Sequence, residues 1–161
     1  MTPIISFVGK SGVGKTTLIE KLVPELKRRG YRIAVVKHHA HSTPIDGAGK
    51  DSWRFAEVGA NVVVVSSPVE WGRFERVARE LTLDEIANKI SDVDLILTEG
   101  FKRERAPKIY VSRLAHGTEM VARTEELVAV VSDHPVALNL PHYDLEDANG
   151  IVDFMQEKFL K

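Results

Sequence analysis

Residues 9–16 read Gly9-Lys10-Ser11-Gly12-Val13-Gly14-Lys15-Thr16, two outer glycines bracketing four residues and followed by lysine and threonine. Glycines at this spacing let the backbone turn tightly enough to aim successive N–H groups at anionic oxygens. Where such a turn opens a helix, the unpaired N–H groups of the first turn and the helix dipole add to that attraction. A lysine at the last loop position reaches the β- and γ-phosphates of a nucleotide, and the hydroxyl after it ligates Mg²⁺. The chemistry expected here is therefore binding of a purine nucleoside triphosphate with Mg²⁺ at Gly9, Lys10, Ser11, Gly12, Val13, Gly14, Lys15 and Thr16. Thr17 is placed to reach the α-phosphate. Lys10 is either a solvated loop lysine or a second lysine that crosses to the nucleotide of a partner subunit.

The carboxylates that could serve such a loop lie elsewhere in the chain. Glu99 ends the apolar run Leu95-Ile96-Leu97-Thr98 and precedes Gly100, a strand-end position suited to holding Mg²⁺ directly or through water. Asp94 opens the same strand and belongs at its far edge, so Glu99 is the expected metal carboxylate. Asp46 and Asp51 flank Gly47, Gly49 and Lys50; either could reach the metal or orient an attacking water, and Asp51 could equally complement a helix N-terminus. His38 and His41 follow the run Ile33–Lys37, where they could contact phosphate, ligate a metal or face solvent. Asp133 ends a late apolar run, and a carboxylate there could accept from N1–H and the exocyclic amine of guanine. No Asn-Lys-x-Asp motif is present, since residues 88–91 read Asn88-Lys89-Ile90-Ser91.

Alternating strands and helices must position these groups. Short Val- and Ile-rich runs at Ile4–Val8, Ile33–Lys37, Val62–Ser66, 94–98, Lys108–Ser112 and 128–132 read as strands. Several are continuously apolar, as in strands buried on both faces of a parallel sheet. Helical patterns occupy 15–29, 51–58, 74–81, 83–90 and 147–160. In the first, Leu18, Ile19, Leu22, Val23 and Leu26 share a face, Pro24 predicts a kink, and Gly30 predicts a C-cap. Thr82 and Glu85 form a capping-box pair. The pattern predicts an α/β fold: a P-loop NTPase with a doubly wound, mostly parallel sheet flanked by helices, as a single nucleotide-binding domain over residues 1–161. Residues 40–50 and 114–125 are expected to be irregular.

Bulk composition narrows the function classes. The chain is 43% hydrophobic and 28% charged with a formal net charge of −1, so nothing global favours nucleic acid or an anionic membrane. It contains no cysteine, which excludes disulfides, thiolate metal sites and cysteine nucleophiles. The apolar start is too short for a signal sequence or membrane span, and a cytoplasmic protein is expected.

Taken in order, the phosphate loop, Lys37-His38-His39, Gly49-Lys50-Asp51-Ser52, Glu99-Gly100-Phe101-Lys102, Pro107-Lys108-Ile109 and Val131-Ser132-Asp133 resemble the molybdopterin-guanine dinucleotide biosynthesis protein B family. The resemblance spans essentially the whole chain. It implies a homodimeric GTP-binding protein with weak GTPase activity. Such a protein would assist the guanylyltransferase that joins GMP to molybdopterin. It further implies that Glu99 and residues 49–52 belong to the functional site. The residues leave two other readings open. One is a P-loop small-molecule kinase, for which Arg103, Arg105 and Arg113 form the nearby basic cluster; the other is a nucleotide-dependent adapter.

Overall fold

A computed structural model describes residues 2–39 and 49–160. In chain order the elements are β1 (Ile4–Val8), α1 (Lys15–Arg28), β2 (Ile33–Lys37), α2 (Asp51–Glu57), β3 (Val62–Ser66) and β4 (Trp71–Glu75). They continue as α3 (Leu83–Ala87), β5 (Leu95–Glu99), β6 (Lys108–Ser112), β7 (Leu127–Ser132), β8 (His142–Tyr143) and α4 (Ala148–Phe159). The chain forms two compact units, Met1–His38 with Thr82–Lys161, and His39–Leu81.

The first unit is a six-stranded sheet in the order β2-β5-β1-β6-β7-β8, with every paired neighbour parallel. This is the α/β architecture of P-loop NTPases. The chain runs from β1 toward one edge and later crosses β1 to build the other, so strand order reverses beside β1. Ligands of open parallel sheets bind beyond the carboxyl ends of strands at such a reversal. Register aligns those ends: Phe7 lies opposite Glu99 and Ile109, and Lys37 opposite Glu99.

The core explains why these segments adopt these forms. Ile5, Phe7, Leu97, Ile109 and Val111 pack with Leu22 and Leu26 of α1 and Ile151 and Met155 of α4, all at 0% exposure. Helix α1 continues through Pro24. A proline inside a helix costs about 3 kcal/mol. Burying Leu18, Ile19, Leu22 and Leu26 returns about 1.5–3 kcal/mol each, so packing outweighs the break. The helix ends at Arg28 with Arg29 at the C-cap, one residue before the position expected, and Gly30 follows with φ 92°. Gly30 N–H donates to Lys27 O and Tyr31 N–H to Leu26 O, closing the last turn. The polar groups within the sheet are paired: Thr98 Oγ1 donates to Ser6 Oγ at 2.8 Å. The Lys108 ammonium meets Glu126 and the Glu104 carbonyl. The capping box at Thr82 and Glu85 is present at the start of α3.

The second unit holds α2 and an antiparallel hairpin of β3 and β4. Two expectations are corrected here. Val62–Ser66 is a strand, but it belongs to this separate hairpin rather than to the parallel sheet. The helix expected over 74–81 is absent: Trp71–Glu75 is β4, and no helix is assigned to 76–81. Phe74, Val77, Ala78 and Leu81 carry helical spacing, yet pairing with β3 takes the first of them. Ser67 sets the reversal, its hydroxyl accepting from Val69 and Glu70 N–H, and its own N–H donating to Glu70 O at 2.8 Å. Along β4 the exposure alternates, with period-two geometry in place of the helical one.

Candidate functional site

The phosphate loop joins β1 to α1 at the point where strand order reverses. Gly9 is required by close approach, because a Cβ there would lie 2.2 Å from the Val111 carbonyl oxygen. Gly14 stands at the N-cap of α1 with φ 95°, in the left-handed region that favours glycine. No side chain caps α1, and its first turn contains no acidic residue. The N–H groups there stay available to an anion, and no acidic residue of the turn itself opposes one. Ser11, Gly12, Thr16 and Thr17 are exposed along the loop and first turn.

Glu99 and Thr16 converge. The Thr16 hydroxyl donates to Glu99 Oε2 at 2.8 Å across 83 residues of sequence. Lys37 Nζ lies 3.6 Å from the same oxygen. Lys15 Nζ donates to the Lys10 carbonyl at 2.7 Å and Gly9 carbonyl at 3.4 Å. Its pKa is lowered, first by burial and then by the positive charges of Lys102 and Lys37, with Glu99 pulling the other way. One carboxylate thus sits among the cations Lys15, Lys37 and Lys102. A hydroxyl and a carboxylate oxygen at this separation form the hard-oxygen pair that suits Mg²⁺, and the cations suit its polyanionic ligand.

Asp94 lies at the other end of β5, where it accepts from the Arg32 backbone N–H at 2.7 Å and pairs with the guanidinium. The backbone hydrogen bond first, then the guanidinium, hold its carboxyl below the usual range. Asp51 belongs to the second unit, where it is the first residue of α2 and lies 3.5 Å from Arg54. Asp46 and His41 lie outside the described residues. The His38 ring packs at a tilt against Phe101, ring centroids 4.9 Å apart and planes 46° from parallel. Phe101 has φ 51°, a strained value for a residue with a Cβ. Among the described residues, no group of three His, Cys, Asp or Glu side chains is arranged to hold a metal on its own.

Asp133 follows β7 at the same sheet edge. Its Oδ1 accepts from Leu114 N–H at 2.8 Å and lies 3.0 Å from His134 Nδ1. The His134 contact first, then the Leu114 N–H, hold its carboxyl below the usual range.

Sequence reasoning named Arg113 only within a basic cluster and gave residues 114–125 no role at the phosphate loop. Arg113 Nε donates to the Val13 carbonyl at 3.0 Å, and the His116 ring faces Gly12, 3.0 Å from where a Cβ would stand. Glu119 pairs with Lys10 at 2.8 Å, which lowers the Glu119 pKa. The sequence signals were the basic cluster of Arg103, Arg105 and Arg113 and the irregular stretch 114–125 between two strands.

The family model for molybdopterin guanine dinucleotide synthesis protein B matches residues 4–133. The molybdopterin-guanine dinucleotide biosynthesis adapter protein of Escherichia coli K12 is 37% identical over 163 residues, covering 98% of this chain and 93% of that protein. Its Haemophilus influenzae namesake is 35% identical, covering 96% and 88%. A crystal structure of molybdopterin-guanine biosynthesis protein B superposes with a TM-score of 0.76 at 35% identity, covering 96% of this chain and 98% of that one. Bacillus subtilis MobB superposes with a TM-score of 0.75 at 25% identity, covering 98% of both. The chain belongs to the molybdopterin guanine dinucleotide synthesis protein B family.

Proposed function

We propose that this chain is a GTP- and Mg²⁺-binding adapter in molybdenum cofactor biosynthesis. In this reading it acts beside the guanylyltransferase that joins GMP to molybdopterin, in the cytoplasm and as a homodimer. The observation that carries the nucleotide reading is the 2.8 Å contact between Thr16 and Glu99 beneath a cluster of lysines. The adapter role rests on the names of the relatives, and the dimer on the family resemblance together with exposed Val64, Val65 and Trp71 on the hairpin.

In this reading the backbone N–H groups of residues 9–16 cradle the phosphates, Lys15 neutralises charge on the β- and γ-phosphates, and Thr17 reaches the α-phosphate. Thr16 and Glu99 hold Mg²⁺, which withdraws charge from the phosphoryl oxygens when bound. Hydrolysis is slow and serves to reset the protein between bound states. Asp46 and Asp51 are its proposed water-orienting or metal-directed carboxylates. No helix among the described residues is long and apolar enough to cross a membrane.

Base choice is the point most open to direct test. Asp133 is the proposed guanine acceptor, although its Oδ1 already accepts from the backbone N–H of Leu114. If the carboxylate reads the base, GTP binds more tightly than ATP, and Asp133→Asn weakens GTP by about tenfold or more while improving relative binding of XTP. Calorimetric titration of the three nucleotides into both proteins decides it. An unchanged ranking removes Asp133 from base recognition and leaves it as the anchor of Leu114.

A further inference from the structure

Val13 and Gly14 share one planar peptide unit, so fixing the direction of the Val13 carbonyl fixes the opposite direction of the Gly14 N–H. Glycine has little conformational preference of its own, and Gly14 adopts φ 95° and ψ 23°. Something outside the loop must hold it there for the row of N–H groups to be ready for an anion. On the helix side, Leu18 N–H donates to the Gly14 carbonyl at 2.9 Å. On the loop side, Arg113 Nε donates to the Val13 carbonyl at 3.0 Å. The guanidinium also fills the space a Gly14 side chain would take, Nε and Nη2 lying 3.3 and 3.5 Å from an ideal Cβ.

Arg113 is itself held. The next residue, Leu114, donates its N–H to Asp133 Oδ1 at 2.8 Å. Further along, the His116 ring closes over Gly12, and Glu119 pairs with Lys10. A continuous connection therefore runs from the end of β7, through the start of the β6–β7 segment, to the peptide at the mouth of α1.

We infer that Arg113 is a positioning residue of the phosphate loop, acting through the Val13 carbonyl to aim the Gly14 N–H at the bound phosphates. The inference deepens the triphosphate-cradle reading of residues 9–16 and rests on it. It assigns the arginine a hydrogen-bonding task that needs its Nε–H and not its charge.

Two substitutions separate those properties. Gln carries its amide nitrogen the same number of bonds from the backbone as arginine Nε and is neutral. Lys keeps the charge but has a methylene at that position. With Mg·GTP and with Mg·tripolyphosphate, which has no base, Arg113→Ala should weaken binding by about tenfold. Arg113→Gln should recover most of that loss, and Arg113→Lys should not. A second readout needs no ligand: backbone amide exchange at Leu18, whose N–H donates to the Gly14 carbonyl, should accelerate in Arg113→Ala and Arg113→Lys and return toward wild type in Arg113→Gln. Wild-type affinity in Arg113→Ala, or recovery by Lys and not Gln, overturns the inference. If the wild-type protein binds neither ligand, the cradle reading fails instead, and the exchange pattern still decides whether Arg113 positions the loop.

Discussion

In the unit that carries the phosphate loop, Ile5, Phe7, Leu22, Leu97 and Met155 all have 0% exposure. In the hairpin unit, Val63 is the one buried hydrophobic among the described residues, while Val58, Val69 and Trp71 are 86%, 91% and 69% exposed. Both units are built from Val-rich strands, so side-chain type alone does not separate them. Their arrangement does. A covered parallel sheet removes both faces of its central strands from water, and in this unit the edge strand β2 stays partly exposed. A two-stranded hairpin with one short helix is too small to bury a core of its own. The lesson concerns function as well as stability. The first unit spends its apolar surface on holding a few polar groups at one sheet edge. The second leaves its apolar surface exposed.

The contrast can be broken first at Gly9. A Cβ at 2.2 Å from the Val111 carbonyl cannot be accommodated by a side-chain adjustment, because the obstacle is backbone. Gly9→Ala should destabilise the fold by about 3 kcal/mol, at the upper end for overpacking a core. Denaturant titration checks it; a midpoint equal to wild type would show that the sheet edge is far less rigid than described. A mid-sized effect is expected in the other unit. If Trp71 lies in a dimer interface, Trp71→Ser should remove about 2 kcal/mol or more of association energy. As an exposed position its effect on the monomer should stay within about 0.5 kcal/mol. Light scattering at tens of micromolar should then report monomer for the variant and dimer for wild type. An unchanged mass takes Trp71 out of any interface.

The smallest effect tests the first unit's surface against its core. Glu25 on α1 accepts from Arg28 and Arg29, and those hydrogen bonds hold its carboxyl at about 2. A carboxylate whose pKa is depressed on folding adds stability above its ordinary pKa and loses it as pH falls toward the folded value. Glu25→Gln should therefore lower the melting temperature slightly at pH 7 and flatten its decline between the ordinary glutamate range and pH 2. Parallel melting curves for the two proteins across that window would remove Glu25 and its two arginines from the stability account.

Much of the site was legible because its signals are local. The phosphate loop is contiguous, and Glu99 is marked by an apolar run that stops at it, so strand geometry alone separates it from Asp94. Arg113, His116 and Glu119 could not be read this way. Their contacts to Val13, Gly12 and Lys10 arise only when β6 docks beside β1, and nothing in the spacing of residues 113–119 encodes that neighbour. The helix expected over 74–81 failed for a related reason. Phe74, Val77, Ala78 and Leu81 satisfy a helical period, but the turn at Ser67 delivers Phe74 opposite Val63, and strand pairing overrides the local pattern. The two-residue β8 carries too little apolar sequence to announce itself, and it exists because His142 and Tyr143 lie beside Val130 and Val131.

The central claim is that Lys15, Thr16 and Glu99 form one Mg²⁺-dependent triphosphate site. The most direct measurement is calorimetric titration of GTP with Mg²⁺, and of GDP without it, into wild-type, Lys15→Ala, Glu99→Gln and Asp94→Asn proteins. Lys15→Ala should lose about 1.5–3 kcal/mol of triphosphate binding, roughly 10- to 150-fold in affinity, without unfolding. Glu99→Gln should weaken the Mg²⁺-dependent binding and leave metal-free GDP binding nearly unchanged, and Asp94→Asn should alter neither. Wild-type triphosphate affinity in Lys15→Ala, or the metal-dependent loss appearing in Asp94→Asn and not in Glu99→Gln, would contradict the account.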